Sequence, residues 1–330
     1  MKVAIYGAGA IGGWLGARLA QAGCEVSVVA RGATLEALQM HGLRLEASTG
    51  SARTEVVSVP VRSSADPAEL GVQDLVIVAV KAPAMADVAM AIGPLIGPDT
   101  MVLTAMNGVP WWFFEGFGGQ YAGTRLRAVD PEGAIARAIP ARHIIGCVVH
   151  ASCSLNSPGF VRQHFGNKLI VGEPSGEKTA RISKLVALLG QAGFEAVLSD
   201  QIQKDAWYKL WGNMTVNPVS AMTGATTDLI MGDDLVRGFI SRVMLEAREI
   251  GGRIGIPIEQ QPEDRHMVTR KLGSFKTSML QDVEAGKPVE LDALVTVVKE
   301  LGELTQLPTP FTDALLGLSR LHARVHGLYP

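Results

Sequence analysis

Cysteine is scarce in this sequence, and neither sign of charge dominates. Cys24, Cys147 and Cys153 are the only three. An odd number without regular spacing argues against a disulfide framework and fits a reducing compartment. Cys147 and Cys153 stand too far apart for a C-x-x-C pair, and no histidine–cysteine cluster surrounds them, so no metal site is expected. Thirty basic residues face 32 acidic ones, for a net charge of -2, and charged residues make up 19% of the chain. That balance gives no basic face for nucleic acid or an anionic membrane surface. No apolar run is long enough to cross a bilayer. The N-terminus enters a strand-like run at once, without a leader and cleavage pattern, so the cytoplasm is the expected location.

What is present is apolar and ordered into alternating segments. The 330 residues are 47% hydrophobic; at roughly 150 residues per domain they suggest two domains. In the first half, Val3–Tyr6 is a short apolar run ending in a glycine loop. Ile11–Ala22 reads as a small-residue helix and Glu25–Ala30 as a β-branched run. Asp74–Val80 is a continuous apolar strand, as expected for a parallel strand buried on both faces, and Met101–Ala105 is another. Strands separated by helical patterns predict βαβ units in a doubly wound sheet. Ile144–Leu155 and Val161–Val171 are longer strand-like stretches joined by a turn at Asn156–Gly159, predicting an antiparallel extension. One more helix over Leu185–Ala192 and one more strand over Glu195–Leu198 follow. From Gln201 onward the pattern is helical, with Leu235, Phe239, Val243, Ala247 and Ile250 near helical spacing. Pro257 and Pro262 interrupt, Met267–Glu284 reads as a further long helix, Gly286-Lys287-Pro288 as a break, and Val289–Leu301 as helix again. The predicted domains are therefore residues 1–200, a Rossmann-type α/β domain, and residues 201–330, all helical.

Residues 7 to 12 read GAGAIG, a G-x-G-x-x-G between a strand and a helix. That context separates a dinucleotide loop from an ordinary glycine turn. Gly7 permits the turn, Gly9 lets backbone approach a pyrophosphate, and Gly12 lets helix pack on strand. With Ala8, Ala10 and Ile11 they form a helix N-terminus suited to phosphate. An NAD site usually ends its second strand in Asp or Glu; here Ala30-Arg31-Gly32 stands there. The fork of Arg31 suits a 2′-phosphate, which predicts NADPH over NADH, against the alternative of a solvated surface charge. Lys81 follows the Asp74–Val80 strand at the end that opens on ligand in such sheets; it could equally point to water. Asn107-Gly108 follows the next strand and could contact a nicotinamide ribose or a substrate, or be a plain turn.

The segment Trp207–Pro218 reads WYKLWGNMTVNP. Lys209, Asn213 and Asn217 are spaced i, i+4, i+8 and share one helix face; Pro218 is expected to end the helix. A lysine and two amides among Trp207, Leu210, Trp211 and Met214 need a polar destination, which a substrate pocket supplies, although a snorkelling lysine with capping amides would satisfy the same pattern. Ser278 and Asp282, in SMLQD, are again i, i+4. Glu290 follows the Gly286–Pro288 break at a helix start, where a carboxylate is favoured with or without chemistry.

Taken together, these motifs resemble those of the ketopantoate reductases (2-dehydropantoate 2-reductases), in the family's order and over nearly the whole chain. The resemblance implies a helical C-terminal domain of the 6-phosphogluconate-dehydrogenase C-terminal type. It further implies Lys209 as general acid and Glu290 as a residue that binds and positions substrate. Asn107, Asn213, Asn217 and Ser278 would line the pocket, Arg31 would hold the 2′-phosphate, and Lys81 would lie on the cofactor side. The substrate would be a small 2-oxo acid, reduced by NADPH in the pantothenate route. The apolar helical second half is compatible with a homodimer.

One region departs from that pattern. After Asn107-Gly108 comes PWWFFEGFGGQYAGTRLRAVDPEGAIARAIPARH, where an ordinary helical connection is expected. Trp111, Trp112, Phe113, Phe114 and Phe117 there could form a lid, a changed substrate wall, a dimer contact or a packed surface loop. This leaves open a related reductase with a different, bulkier 2-oxo or 2-hydroxy acid substrate. A non-catalytic nucleotide sensor is a third reading, disfavoured because Lys209 and Glu290 are both present.

Overall fold

The computed structural model describes residues 1–48 and 54–330. The chain forms two compact units: Met1–Met106 with Gly133–Ile202, and Asn107–Glu132 with Gln203–Pro330. The last crossing falls between Ile202 and Gln203. The segment 107–132, placed with the first domain by its position in the sequence, groups instead with the helical unit, for reasons of packing given below.

The first unit holds one ten-stranded sheet. Its strands are β1 (Lys2–Tyr6), β2 (Glu25–Val29), β3 (Leu43–Ser48), β4 (Thr54–Val59), β5 (Arg62–Ser64), β6 (Gln73–Val78), β7 (Ile96–Thr104), β8 (Ile144–Ser157), β9 (Phe160–Gly172) and β10 (Glu195–Leu198). The order β5-β2-β1-β6-β7-β8 is parallel throughout. Leu75, Val76, Ile77 and Val78 of β6 are wholly buried, which is why that strand reads as an unbroken apolar run rather than an alternation. Beyond β8 the sheet becomes mixed: β9 returns antiparallel to β8, as the turn at Asn156–Gly159 predicts. The first residues of β9 pair with β3 and its last with β10, both parallel, and β4 closes that edge antiparallel to β3. Helices α1 (Ala10–Gln21), α2 (Gly32–His41), α3 (Met85–Ala91), α4 (Ala134–Ala138) and α5 (Ala180–Gln191) complete the unit. Trp14 of α1 meets Phe194 edge-on, with centroids 4.9 Å apart.

The second unit is helical: α6 (Ile202–Thr223, its first residue shared with the first unit), α7 (Thr227–Gly232), α8 (Asp234–Arg253), α9 (Pro262–Arg270), α10 (Ser278–Glu284), α11 (Val297–Leu304) and α12 (Pro310–Val325). A π-helical turn over Asp292–Thr296 leads into α11. The core gathers Trp207, Leu210, Trp211 and Met214 of α6 with Val243, Met244, Ala247 and Ile250 of α8 and the apolar faces of α11 and α12. The Trp211 Nε1–H donates to the Met244 carbonyl at 2.7 Å, satisfying the one polar atom that ring buries.

Two sequence expectations fail here. Pro218 does not end α6; the helix runs five residues past it to Thr223. The proline forfeits one backbone hydrogen bond, but Met214, Val216, Val219 and Ala221 around it are all buried, and this packing holds the helical path. The single helix expected over Met267–Glu284 is two. α9 begins at Pro262, which occupies the helix's first turn without loss because no partner awaits an N–H there. α10 begins afresh at Ser278, with the Thr277 hydroxyl capping the Leu280 amide.

Candidate active site

In the first unit the strand order reverses at β1, with β2 on one side and β6 on the other. In such sheets the carboxyl ends at the reversal form the ligand crevice. Gly7 directly follows β1, and Lys81 comes three residues after β6, on the neighbouring strand. The loop fits a dinucleotide on three counts. Gly7 has φ +99°, and a β-carbon on it would fall 2.6 Å from Val80. One on Gly12 would fall 2.0 Å from the Gly7 carbonyl oxygen, so helix and loop meet too closely for a side chain. Gly9 is different: nothing lies within 4 Å of its absent β-carbon, leaving open space where phosphate would lie. Gly9 is the N-cap of α1, whose first turn carries no acidic residue and no side-chain cap. The amides of Ala10, Ile11 and Gly12 are therefore left for an anion, with Ala8 buried beneath.

Arg31 follows β2 and is the N-cap of α2. Its side chain is 66% exposed and stands 3.6 Å from the Asp87 carboxylate, itself 59% exposed. Such a pair is weak, so the guanidinium can turn to another anion. Lys81 is half-buried at the start of a 3₁₀ turn over Ala82–Ala84.

In the second unit the Lys209 ammonium donates to Asn107 Oδ1 at 2.8 Å. The two residues are far apart in sequence, and the structure shows how the contact is fixed. Gly108 has φ +84°, and a β-carbon on it would fall 2.4 Å from the Ala293 carbonyl oxygen. The Val109 amide donates to that same oxygen at 2.9 Å. Asn107 is thus anchored by the π-helical turn, while α6 presents Lys209 to it. Asn213 and Asn217 follow Lys209 at one and two turns along α6. Neither side-chain amide is hydrogen-bonded among the described residues, although Asn217 is only 7% exposed. Glu290, half-buried, immediately precedes Leu291, where the last helical stretch before α11 opens. Its chain neighbour Val289 is fixed by an amide hydrogen bond to the Leu328 carbonyl. Ser278 is the exposed first residue of α10. Among the described residues no group of three or more His, Cys, Asp or Glu could hold a metal ion, and no helix is long and apolar enough to cross a membrane.

The aromatic segment after Asn107 is neither a lid nor an exposed surface. Trp111, Trp112, Phe113 and Phe114 are buried, and Phe113 and Phe114 belong to the core of the helical unit. Phe113 lies 5.3 Å from Phe114 and 6.1 Å from Trp207 between centroids, and Phe114 stacks on Phe117. The Glu300 carboxylate accepts from the amides of Arg127 and Ala128 at 2.7 and 2.8 Å. These anchors were not foreseen from the sequence, because each joins positions far apart in the chain.

Comparison with known proteins agrees with this architecture. The family model described as ketopantoate reductase PanE/ApbA matches residues 3–176, and that of its C-terminal domain matches residues 201–323. The chain is 46% identical over 330 residues to a 2-dehydropantoate 2-reductase of Mesorhizobium japonicum, covering all of both chains. A crystal structure assigned as a ketopantoate reductase, from Ralstonia solanacearum MolK2, superposes with a TM-score of 0.94 at 57% identity over 99% of each chain. That of a 2-dehydropantoate 2-reductase from Geobacter metallireducens GS-15 gives 0.84 at 28% identity, over 97% of this chain and 99% of the other. The chain belongs to the ketopantoate reductase PanE/ApbA family.

Proposed function

We propose that this protein reduces 2-dehydropantoate to D-pantoate with NADPH, using Lys209 as the general acid. The observation that carries the reading is the 2.8 Å contact from Lys209 Nζ to Asn107 Oδ1. It holds an ammonium on the helix that also carries Asn213 and Asn217, one and two turns on. The name borne by the Mesorhizobium relative supports the substrate.

The reduced nicotinamide, when bound, supplies hydride to the ketone carbon of a 2-oxo acid. The rest falls to the chain. As the carbonyl gives way, negative charge grows on its oxygen; Lys209 stabilises that charge and delivers the proton from Nζ. Asn107, as acceptor, keeps the ammonium directed. Asn213, Asn217 and Ser278 supply hydrogen bonds to substrate polar groups, and Glu290 binds and positions it. The Gly7–Gly12 loop holds the pyrophosphate, Lys81 and Asn107 contact the nucleotide, and Arg31 takes the 2′-phosphate in exchange for Asp87.

The motive for a bulkier substrate weakens, since Phe113, Phe114 and Phe117 among the rings that suggested it are spent on the core of the helical unit. The test is NADPH oxidation with ketopantoate and a panel of other 2-oxo acids. Lys209→Ala is expected to lower kcat by about 10²- to 10⁴-fold. Unchanged kcat in that variant, or turnover of other oxo acids with silence on ketopantoate, would overturn the reading.

A further inference from the structure

Arg265, on α9, lays its guanidinium against α6. A β-carbon on Gly212 would fall 2.5 Å from Arg265 Nε and 2.7 Å from Nη2, so glycine at 212 is what lets the group rest on the helix. The guanidinium carbon stands 5.6 Å from the Tyr208 ring centroid, a cation–π arrangement. Nε is buried and has no hydrogen-bond partner. Among the described residues the side chain has no carboxylate partner either, whereas Arg181, Arg237, Arg253 and Arg270 all have one. Burial pushes its pKa below the ordinary guanidinium value. A largely desolvated cation without an anion is costly, and a planar fork is suited to bidentate capture of a carboxylate.

The position says which carboxylate. Gly212 comes three residues after Lys209 on α6, one turn along, a separation at which helix side chains are neighbours. A 2-oxo acid carries its carboxylate on the carbon next to the ketone. An ammonium for the ketone oxygen and a guanidinium one turn away match that pair of groups.

We propose that Arg265, seated on Gly212 and Tyr208, is a carboxylate subsite that binds the acid group of the 2-oxo acid substrate. This rests on the reading of Lys209 as the general acid. Arg265 thereby makes the enzyme selective for free 2-oxo acids over neutral ketones. In the sequence it is hidden, because its seats at Gly212 and Tyr208 lie more than fifty residues away along the chain.

The experiment compares steady-state NADPH oxidation with ketopantoate and with its neutral lactone. It uses the unaltered protein and the variants Arg265→Met, Arg265→Lys and Gly212→Ala, each with a thermal melt. Arg265→Met should raise KM for ketopantoate roughly 10- to 100-fold, the usual range for a lost charge-assisted hydrogen bond. Its kcat should fall less, and its kcat/KM on the lactone should be unchanged, so the preference for acid over lactone collapses. Arg265→Lys, which keeps the charge and loses the fork, should fall between. Gly212→Ala should shift KM the same way by displacing the guanidinium, and alanine within a helix favours folding. Guanidinium ion at millimolar levels should restore part of the Arg265→Met loss. A preference for acid over lactone that survives both Arg265→Met and Gly212→Ala, whatever happens to the melting temperature, overturns the proposal and leaves Arg265 a packing residue. Lys209→Ala in the same assay separates the two readings: it should abolish turnover of acid and lactone alike while Arg265 is intact.

Discussion

Arg31 and Lys209 show how much a single residue's setting decides. Both are basic residues just beyond or within regular elements, and the sequence alone leaves each between a binding role and a solvated charge. Their settings differ. Lys209 is tied to Asn107, whereas Arg31 is exposed and loosely paired with Asp87. Arg31→Ala should therefore raise KM for NADPH by about tenfold or more, the loss expected for a charge-assisted phosphate contact, and leave KM for NADH nearly unaltered. Equal effects on the two nucleotides would remove Arg31 from the 2′-phosphate. The thiols belong to this scale too. Burial pushes Cys153 up to about 12 and raises Cys24 as well, so neither is a thiolate at neutral pH.

At the level of elements, legibility follows how local the cause is. β6 and β10 were readable because their burial is written in consecutive apolar residues or in clear boundaries. β3 was passed over although Leu43, Leu45 and Ala47 are buried in alternation with Arg44 and Glu46; of its two partners, β4 follows it in the chain but β9 lies more than a hundred residues away. α6 outlasts Pro218 because packing overrides a local breaker. The segment after Asn107 stayed open between a lid, a substrate wall, a dimer contact and a packed surface loop, because aromatic residues among many glycines do not declare their burial in the sequence. Phe113 is wholly buried among Phe114, Phe117 and Trp207. Phe113→Ala should cost about 3–5 kcal/mol of stability, the range for emptying a buried aromatic site, seen as a lowered denaturation midpoint in urea. A lid would behave otherwise, losing activity with its midpoint intact.

For the whole molecule, the Rossmann-type and helical parts and the family were legible in the sequence, because G-x-G-x-x-G and K-x₃-N-x₃-N-P are short-range patterns. The sequence did not convey that the chain crosses between units three times, because that depends on anchors such as Glu300 and Ala293. Two separate cores predict departures from two-state unfolding, and acid should act on the helical one. His266, at α9, is buried with its Nε2 2.8 Å from Ser241 Oγ. Burial chiefly, with Arg270 and Arg237 assisting against Glu263, lowers its pKa from 6.5. His322 is lowered too, by partial burial and then by His326, whose ring lies 4.2 Å away. A lowered folded-state pKa means the unfolded chain takes up protons first as pH falls. Stability is therefore full above about pH 6.5 and declines as pH drops through the interval between the unfolded and folded values. Melting followed by circular dichroism from pH 7.5 down to 5.5 should show the helical unit losing stability over that range. In His266→Gln, which can still reach Ser241 but cannot titrate, the decline should be shallower; an identical slope would place the acid-sensitive group elsewhere.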